Sequence, residues 1–363
     1  MSQSTPSATV MDMLTADVAA YCDPDGPKLG SQWTPVPREG FAEQSFIKTM
    51  DQAGYLGQIY VNVNTGEVII ANRGTQNLAN VKTDGGVALG MVANVQPIAD
   101  EFAREGLRAA KKVLANAGVK MSALYTTGHS LGGAEAEGQA QMLSAQNGVH
   151  ALLPADVHIT NFSIDAPGIS DRAHQGDKSR YTSYNLSAQG DVVHKAGGDQ
   201  LEGTVQVPLP IGPRIAQTEG MMLAGAATAI ELPFVGLPMI AYGADKALEA
   251  HRSTLILDQV TGTVLAGIKL TELGTSSAAI LAAFKTKPTT PEPVTAQVQT
   301  DTKAANDTHA APVSSDHPNI WGLDPKGNID PAALKGDSNV VYAEQWLDVN
   351  GYRSKARPQY RNA

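Results

Sequence analysis

A serine hydroxyl attacks a carbonyl at neutral pH only when a base takes its proton and a carboxylate orients that base. The stretch Gly128-His129-Ser130-Leu131-Gly132-Gly133 offers such a serine. It reads Gly-x-Ser-x-Gly, a pattern that works only between a strand and a helix. Met121 to Thr127 is apolar or hydroxylic, as a short buried strand is, and Ala134 to Gln146 has helix-forming composition weakened by Gly138. Gly128 and Gly132 let strand and helix cross closely around a sharp turn. That turn pushes Ser130 Oγ out of the backbone, beside the positive end of the helix. The chemistry on offer is acyl transfer through a covalent serine ester.

Chains with this elbow place the acid after the serine and the histidine after the acid. Of eight histidines, His150, His158 and His174 come before the favoured acid. His129 sits inside the elbow, with its ring expected to point elsewhere. His309 and His317 fall in a stretch too polar to hold a base still, and His194 follows Asp191 too closely to reach across to Ser130. His251 remains, after the helix-like run 244–250. Asp165 and Asp191 end successive predicted strands. Asp191 is preferred, because it lies one strand further out in a Gly-Asp loop and faces a histidine returning over the sheet. Asp165 stays open as the second candidate, with capping or bracing of the Pro167-Gly168 turn as its other use. Two donors must meet the oxyanion. Leu131 supplies the N–H after the nucleophile, and Thr75, at the end of Arg73-Gly74-Thr75, supplies an N–H and a hydroxyl from an earlier strand.

The elements that must carry these residues follow from periodicity. Val10, Met13, Leu14, Val18 and Tyr21 mark a helix that the Asp23-to-Pro27 cluster ends. Tyr55 to Val63 and Glu67 to Asn72 read as a hairpin around Asn64-Thr65-Gly66. The glycine-containing apolar run 85–95 precedes a helix over about 96–117. Val157 to Ile164 and Tyr181 to Leu186 read as strands, and Ser253 to Asp258 with Thr263 to Leu270 as a terminal hairpin. Met221 to Tyr242 is apolar but broken by Pro233 and Pro238, which suits two short helical pieces better than a membrane span. Strands alternating with helices imply an α/β fold with a mostly parallel central sheet flanked by helices.

Composition bounds the rest. The 363 residues are 42% hydrophobic, enough for a sizeable core, and the net charge of -9 argues against nucleic acid as a partner. A single cysteine, Cys22, excludes an intramolecular disulfide and a multi-cysteine metal site. Residues 1–9 are expected to lack structure and carry neither a basic start nor an apolar core of a signal peptide. The expected location is therefore cytoplasmic, or outside the cell by a leaderless secretion route. The main domain is expected over 10–285, a Thr/Pro/Ala-rich flexible linker over 286–318, and a small C-terminal segment of open role over 319–363.

Taken together, Arg73-Gly74-Thr75, Gly128 to Gly133, Phe162 to Gly168, Asp191-Val192-Val193 and the late His251 resemble the class 3 lipase family of the α/β-hydrolases. The resemblance covers about residues 11–270 and implies a triad of Ser130, Asp191 and His251, with Thr75 and Leu131 as oxyanion hole. It also implies a lid at 85–95. Val87, Leu89, Met91 and Val92 there, with Phe234 in the second apolar piece, are the candidates for acyl binding. Asn72 departs from the family's usual Phe, and Asp165 sits in a widened turn. The implied activity is hydrolysis of lipid esters, with triacylglycerol or phospholipid as substrate, peripheral contact with a membrane, and no cofactor. The linker and aromatic tail suit a second reading, an exported phospholipase effector with a delivery or immunity partner. A non-catalytic binding module on the same fold is the third.

Overall fold

The computed structural model describes residues 5–21, 27–74, 85–146, 151–189, 191, 193–195, 198–211, 251 and 253–288. The apolar piece 221–242 with Phe234, Cys22, Thr75, the side chains of Val87, Leu89, Met91 and Val92, and residues 289–363 of the linker and tail lie outside the described residues.

Helix α1 (Val10–Ala19) starts at a capping box: Thr9 Oγ1 accepts the Asp12 N–H, and the Asp12 carboxylate accepts the Thr9 N–H at 2.8 Å. The short strand β1 (Thr34–Val36) precedes α2 (Gln44–Ala53), which ends at Gly54 in the left-handed region, φ 70°. Then come β2 (Gly57–Asn62), β3 (Glu67–Asn72), α3 (Gly85–Asn116), β4 (Ala123–His129) and α4 (Leu131–Ser144). Strands β5 (His158–Ile164), β6 (Tyr181–Ala188) and β7 (Val205–Leu209) follow, and helices α5 (Ser253–Val260) and α6 (Ser277–Lys285) close the described chain. Among the described residues, no helix is long and apolar enough to cross a membrane.

The seven strands lie side by side in chain order. β1, β2 and β3 pair antiparallel, and β3 to β7 pair parallel. Alternation along each strand sends side chains to opposite faces. Val68, Ile70 and Leu124 join one core with Met50, Phe102, Leu107 and Leu143, from α2, α3 and α4. Ile69, Ala71, Tyr125 and Phe162 join the other, with Met13, Leu14, Ile256 and Ile280, from α1, α5 and α6. The result is three layers, helices on both faces of one sheet.

Three expectations are corrected. The run 85–95 is not separate from the helix after it; α3 is continuous from Gly85 to Asn116, with Pro97 inside. Residues 253–270 form no hairpin: Ile256, Leu257 and Val260 are buried at helical spacing on α5, and Val264–Gly267 is a 3₁₀ turn. Nor is the whole of 1–9 unstructured. Buried Glu67 accepts the Ser7 N–H at 2.9 Å, the Ala8 N–H at 2.8 Å and the Ser7 hydroxyl, while Thr65 and Tyr125 donate to the same carboxylate.

Candidate active site

The elbow is strained as its mechanics require. Ser130 has φ 57° and ψ -128°, a region that non-glycine residues seldom occupy and that costs on the order of 1–3 kcal/mol. Its N–H is held by the Ile164 carbonyl at 2.9 Å, and its own carbonyl accepts the N–H groups of Gly133 and Ala134. The two motif glycines are a packing necessity. A Cβ on Gly128 would lie 2.3 Å from the Gly132 oxygen, and one on Gly132 would lie 2.3 Å from the Asn72 oxygen. Here α4 runs against the end of β3, so no side chain fits between the backbones. Gly138 differs: a Cβ there would meet the end of the Gln96 side chain of α3 at 2.4 Å, a group that could shift where a backbone cannot.

β6 delivers Asp191 and the loop before α5 delivers His251, and both are fully buried. His251 Nδ1 lies 2.8 Å from Asp191 Oδ1. Val193 N–H donates to the same oxygen at 3.0 Å. The other oxygen accepts the His194 N–H and the His194 Nδ1, each at 2.9 Å. Burial alone would raise the Asp191 pKa, but the His251 imidazole and the His194 donors overcome it and hold the carboxyl far below the usual range. An ionised carboxylate only accepts, so Nδ1 of His251 carries a proton and donates it, leaving Nε2 as the ring's other nitrogen. That Nε2 is buried and makes no hydrogen bond among the described residues. Hydrogen bonds between base and nucleophile are often long in a free enzyme and close up only with substrate.

Leu131 is the first residue of α4, where helix N–H groups have no partner within the helix. Thr75 lies outside the described residues. Gly74 sits so close to the elbow that a Cβ on it would be 2.4 Å from the His129 oxygen and 3.2 Å from Ser130 Cβ. The loop leaving β3 therefore passes directly beside the nucleophile.

Two residues have more to do here than their place in the sequence suggested. The His129 ring does not point away: it lies 4.5 Å from the His251 ring, centroid to centroid. Asp165, at φ 47°, is also fully buried, and His129, Asp165 and His251 each bring one polar atom within 4.8 Å of the others. Asp165 Oδ1 accepts the Ala188 N–H at 2.8 Å, and its Oδ2 has no hydrogen-bond partner among the described residues. Burial, then the charge of Asp191, pushes its carboxyl well above the usual range. It does not brace the Pro167-Gly168 turn; Asn185 does that, bonding both N–H and carbonyl of Ala166.

No protein-family model matches this chain, and no curated protein matches it. The chain is similar to the Lip2 lipase of Yarrowia lipolytica, at 15% identity over 58% of this chain and 83% of that one, with a TM-score of 0.37. A triacylglycerol lipase from Penicillium expansum is similar at 14% identity over 56% and 82%, with a TM-score of 0.36. The native Rhizomucor miehei lipase propeptide complex is similar at 16% identity over 53% and 67%, with a TM-score of 0.33. By its own geometry, a mostly parallel sheet between helix layers with a serine elbow at the end of β4, this chain has the α/β-hydrolase fold.

Proposed function

We propose that this chain is a serine carboxylic ester hydrolase acting on lipid esters, of the lipase or phospholipase A type. One observation supports the reading: a strained serine at an elbow whose neighbour, His129, lies 2.6 Å from the backbone carbonyl of a buried histidine, His251, whose Nδ1 is 2.8 Å from Asp191. Ser130 Oγ attacks the ester carbonyl as its proton passes to His251 Nε2. The N–H of Leu131 and the N–H and hydroxyl of Thr75 receive the oxyanion. Collapse expels the alcohol, which takes the proton from His251, and water repeats the sequence to release the acid. Asp191 holds the imidazole in the right tautomer and stabilises the imidazolium.

The experiment is labelling with a fluorophosphonate, together with turnover of short-chain esters, triacylglycerol and phospholipid vesicles. Wild type is expected to label and turn over, and Ser130→Ala to do neither while keeping its fold. A wild type that labels nothing and cleaves no ester leaves a non-catalytic module. Cleavage of vesicles above the other substrates assigns the phospholipase branch.

A further inference from the structure

Building on that reading, we propose that His129 and Tyr21 form a clamp that positions His251 from behind, through its backbone. His129 Nε2 lies 2.6 Å from the His251 carbonyl oxygen. A carbonyl only accepts, so this nitrogen carries the proton. Nδ1 is then a bare acceptor, and the Tyr21 hydroxyl lies 3.0 Å from it. The Tyr21 oxygen in turn takes the Gly74 N–H. A single chain of bonds thus runs from the loop that leads to Thr75, through the end of α1 and the elbow strand, to the backbone of the base.

The environment keeps this chain in one arrangement. His129 is 2% exposed, and burial, then the neighbouring His251, lowers its pKa to about 3. It is neutral at working pH and adds no positive charge against an imidazolium 4.5 Å away. Tyr21 stays protonated, because burial and the nearby Asp17 raise its hydroxyl. The clamp grips the main chain of His251 while Asp191 grips its ring, so the imidazole is fixed at both ends. Neither His129 nor Tyr21 touches substrate in this scheme; both are positioning residues.

Glutamine places an amide N–H close to where His129 Nε2 sits, whereas asparagine is too short and leucine has no donor. His129→Leu and His129→Asn are expected to lose about 10²-fold in kcat on a soluble ester with KM unchanged, the cost of a slightly misplaced base. His129→Gln is expected to recover most of that loss. Tyr21→Phe is expected to lose roughly fivefold, one neutral hydrogen bond. Unfolding curves for each variant separate this from loss of fold. A second readout needs no turnover: the low-field proton resonance of His251 Nδ1–H, assigned by its disappearance in Asp191→Asn. It should stay sharp in His129→Gln and broaden by exchange in His129→Leu. A folded His129→Leu with wild-type kcat and a sharp resonance overturns the clamp, as does a His129→Gln no better than His129→Asn. If wild type cleaves no ester but the resonance follows the pattern, the ester-hydrolase reading falls and the clamp stands.

Discussion

Asp165 and Asp191 end adjacent parallel strands, both are fully buried, and both lie beside His251. Yet one carboxyl is held far below its ordinary range and the other well above it. Burial opposes ionisation at both. What differs is the number of donors. Asp191 accepts four hydrogen bonds, two of them from imidazoles, and Asp165 accepts one from Ala188. Two carboxylates this close do not both ionise cheaply, so the one with more donors takes the charge and the other keeps its proton. Donor supply, and not position on the sheet edge, selects the partner of the histidine. Glu137 on α4 falls between them. It accepts the Leu201 N–H at 2.9 Å and meets Ser163 Oγ at 3.0 Å, and burial pushes it up to about 7. Ser163 Oγ also contacts the Tyr184 carbonyl at 3.0 Å. The Leu201 N–H and the Ser163 hydroxyl both donate to Glu137 and hold its carboxyl down, but burial outweighs them.

This ranking can be broken by experiment. Asp191→Asn, which keeps the shape and reverses the tautomer preference of His251, should lower kcat by about 10⁴-fold with the fold intact by circular dichroism. Glu137 comes next. A carboxyl whose folded pKa is raised binds its proton more tightly in the folded state, so stability is greatest at low pH. It should fall by about 3 kcal/mol as pH rises from about 4.5 to about 7 and then level off. Glu137→Gln should remove that decline in urea titrations run across the range. His194→Leu takes away one donor to Asp191 and should cost about tenfold in kcat, with the acid limb of the pH profile displaced. Asp165→Asn should change kcat at neutral pH least of all, since an amide replaces a carboxyl that is already neutral. A large loss there would mean that Asp165 shares the charge, and the donor-count argument would fail.

The elbow was legible because its glycines answer to local geometry: Gly128 and Gly132 touch backbone on α4 and β3, and nothing larger fits. That Asp191 and His251 meet was expected from chain order, and their side chains lie 2.8 Å apart. The role of His129 was not legible. Its partners, Tyr21 and the His251 carbonyl, come from chain segments more than 100 residues away, and a ring's direction at a strand end has no periodic signature. Asp165 was seen as a second acid or a turn brace, but its burial was not legible, because a turn-bracing aspartate and a buried one look alike in a sequence. The mistaken hairpin at 253–270 has a simple cause. Leu255, Ile256, Leu257 and Val260 are as common in strands as in helices, and a short apolar run does not separate the two.

The carboxylate of Glu67 has a practical consequence for handling the protein. It is buried, with oxygens that accept from groups including the amides of Ser7 and Ala8. Trimming the start back to Thr9, an innocuous edit by composition, strips three donors at once from a buried carboxyl group. Ser7 and Ala8 thus hold the carboxyl group at the start of β3, and shortened versions should be screened for yield before any loss of turnover is blamed on the catalytic groups.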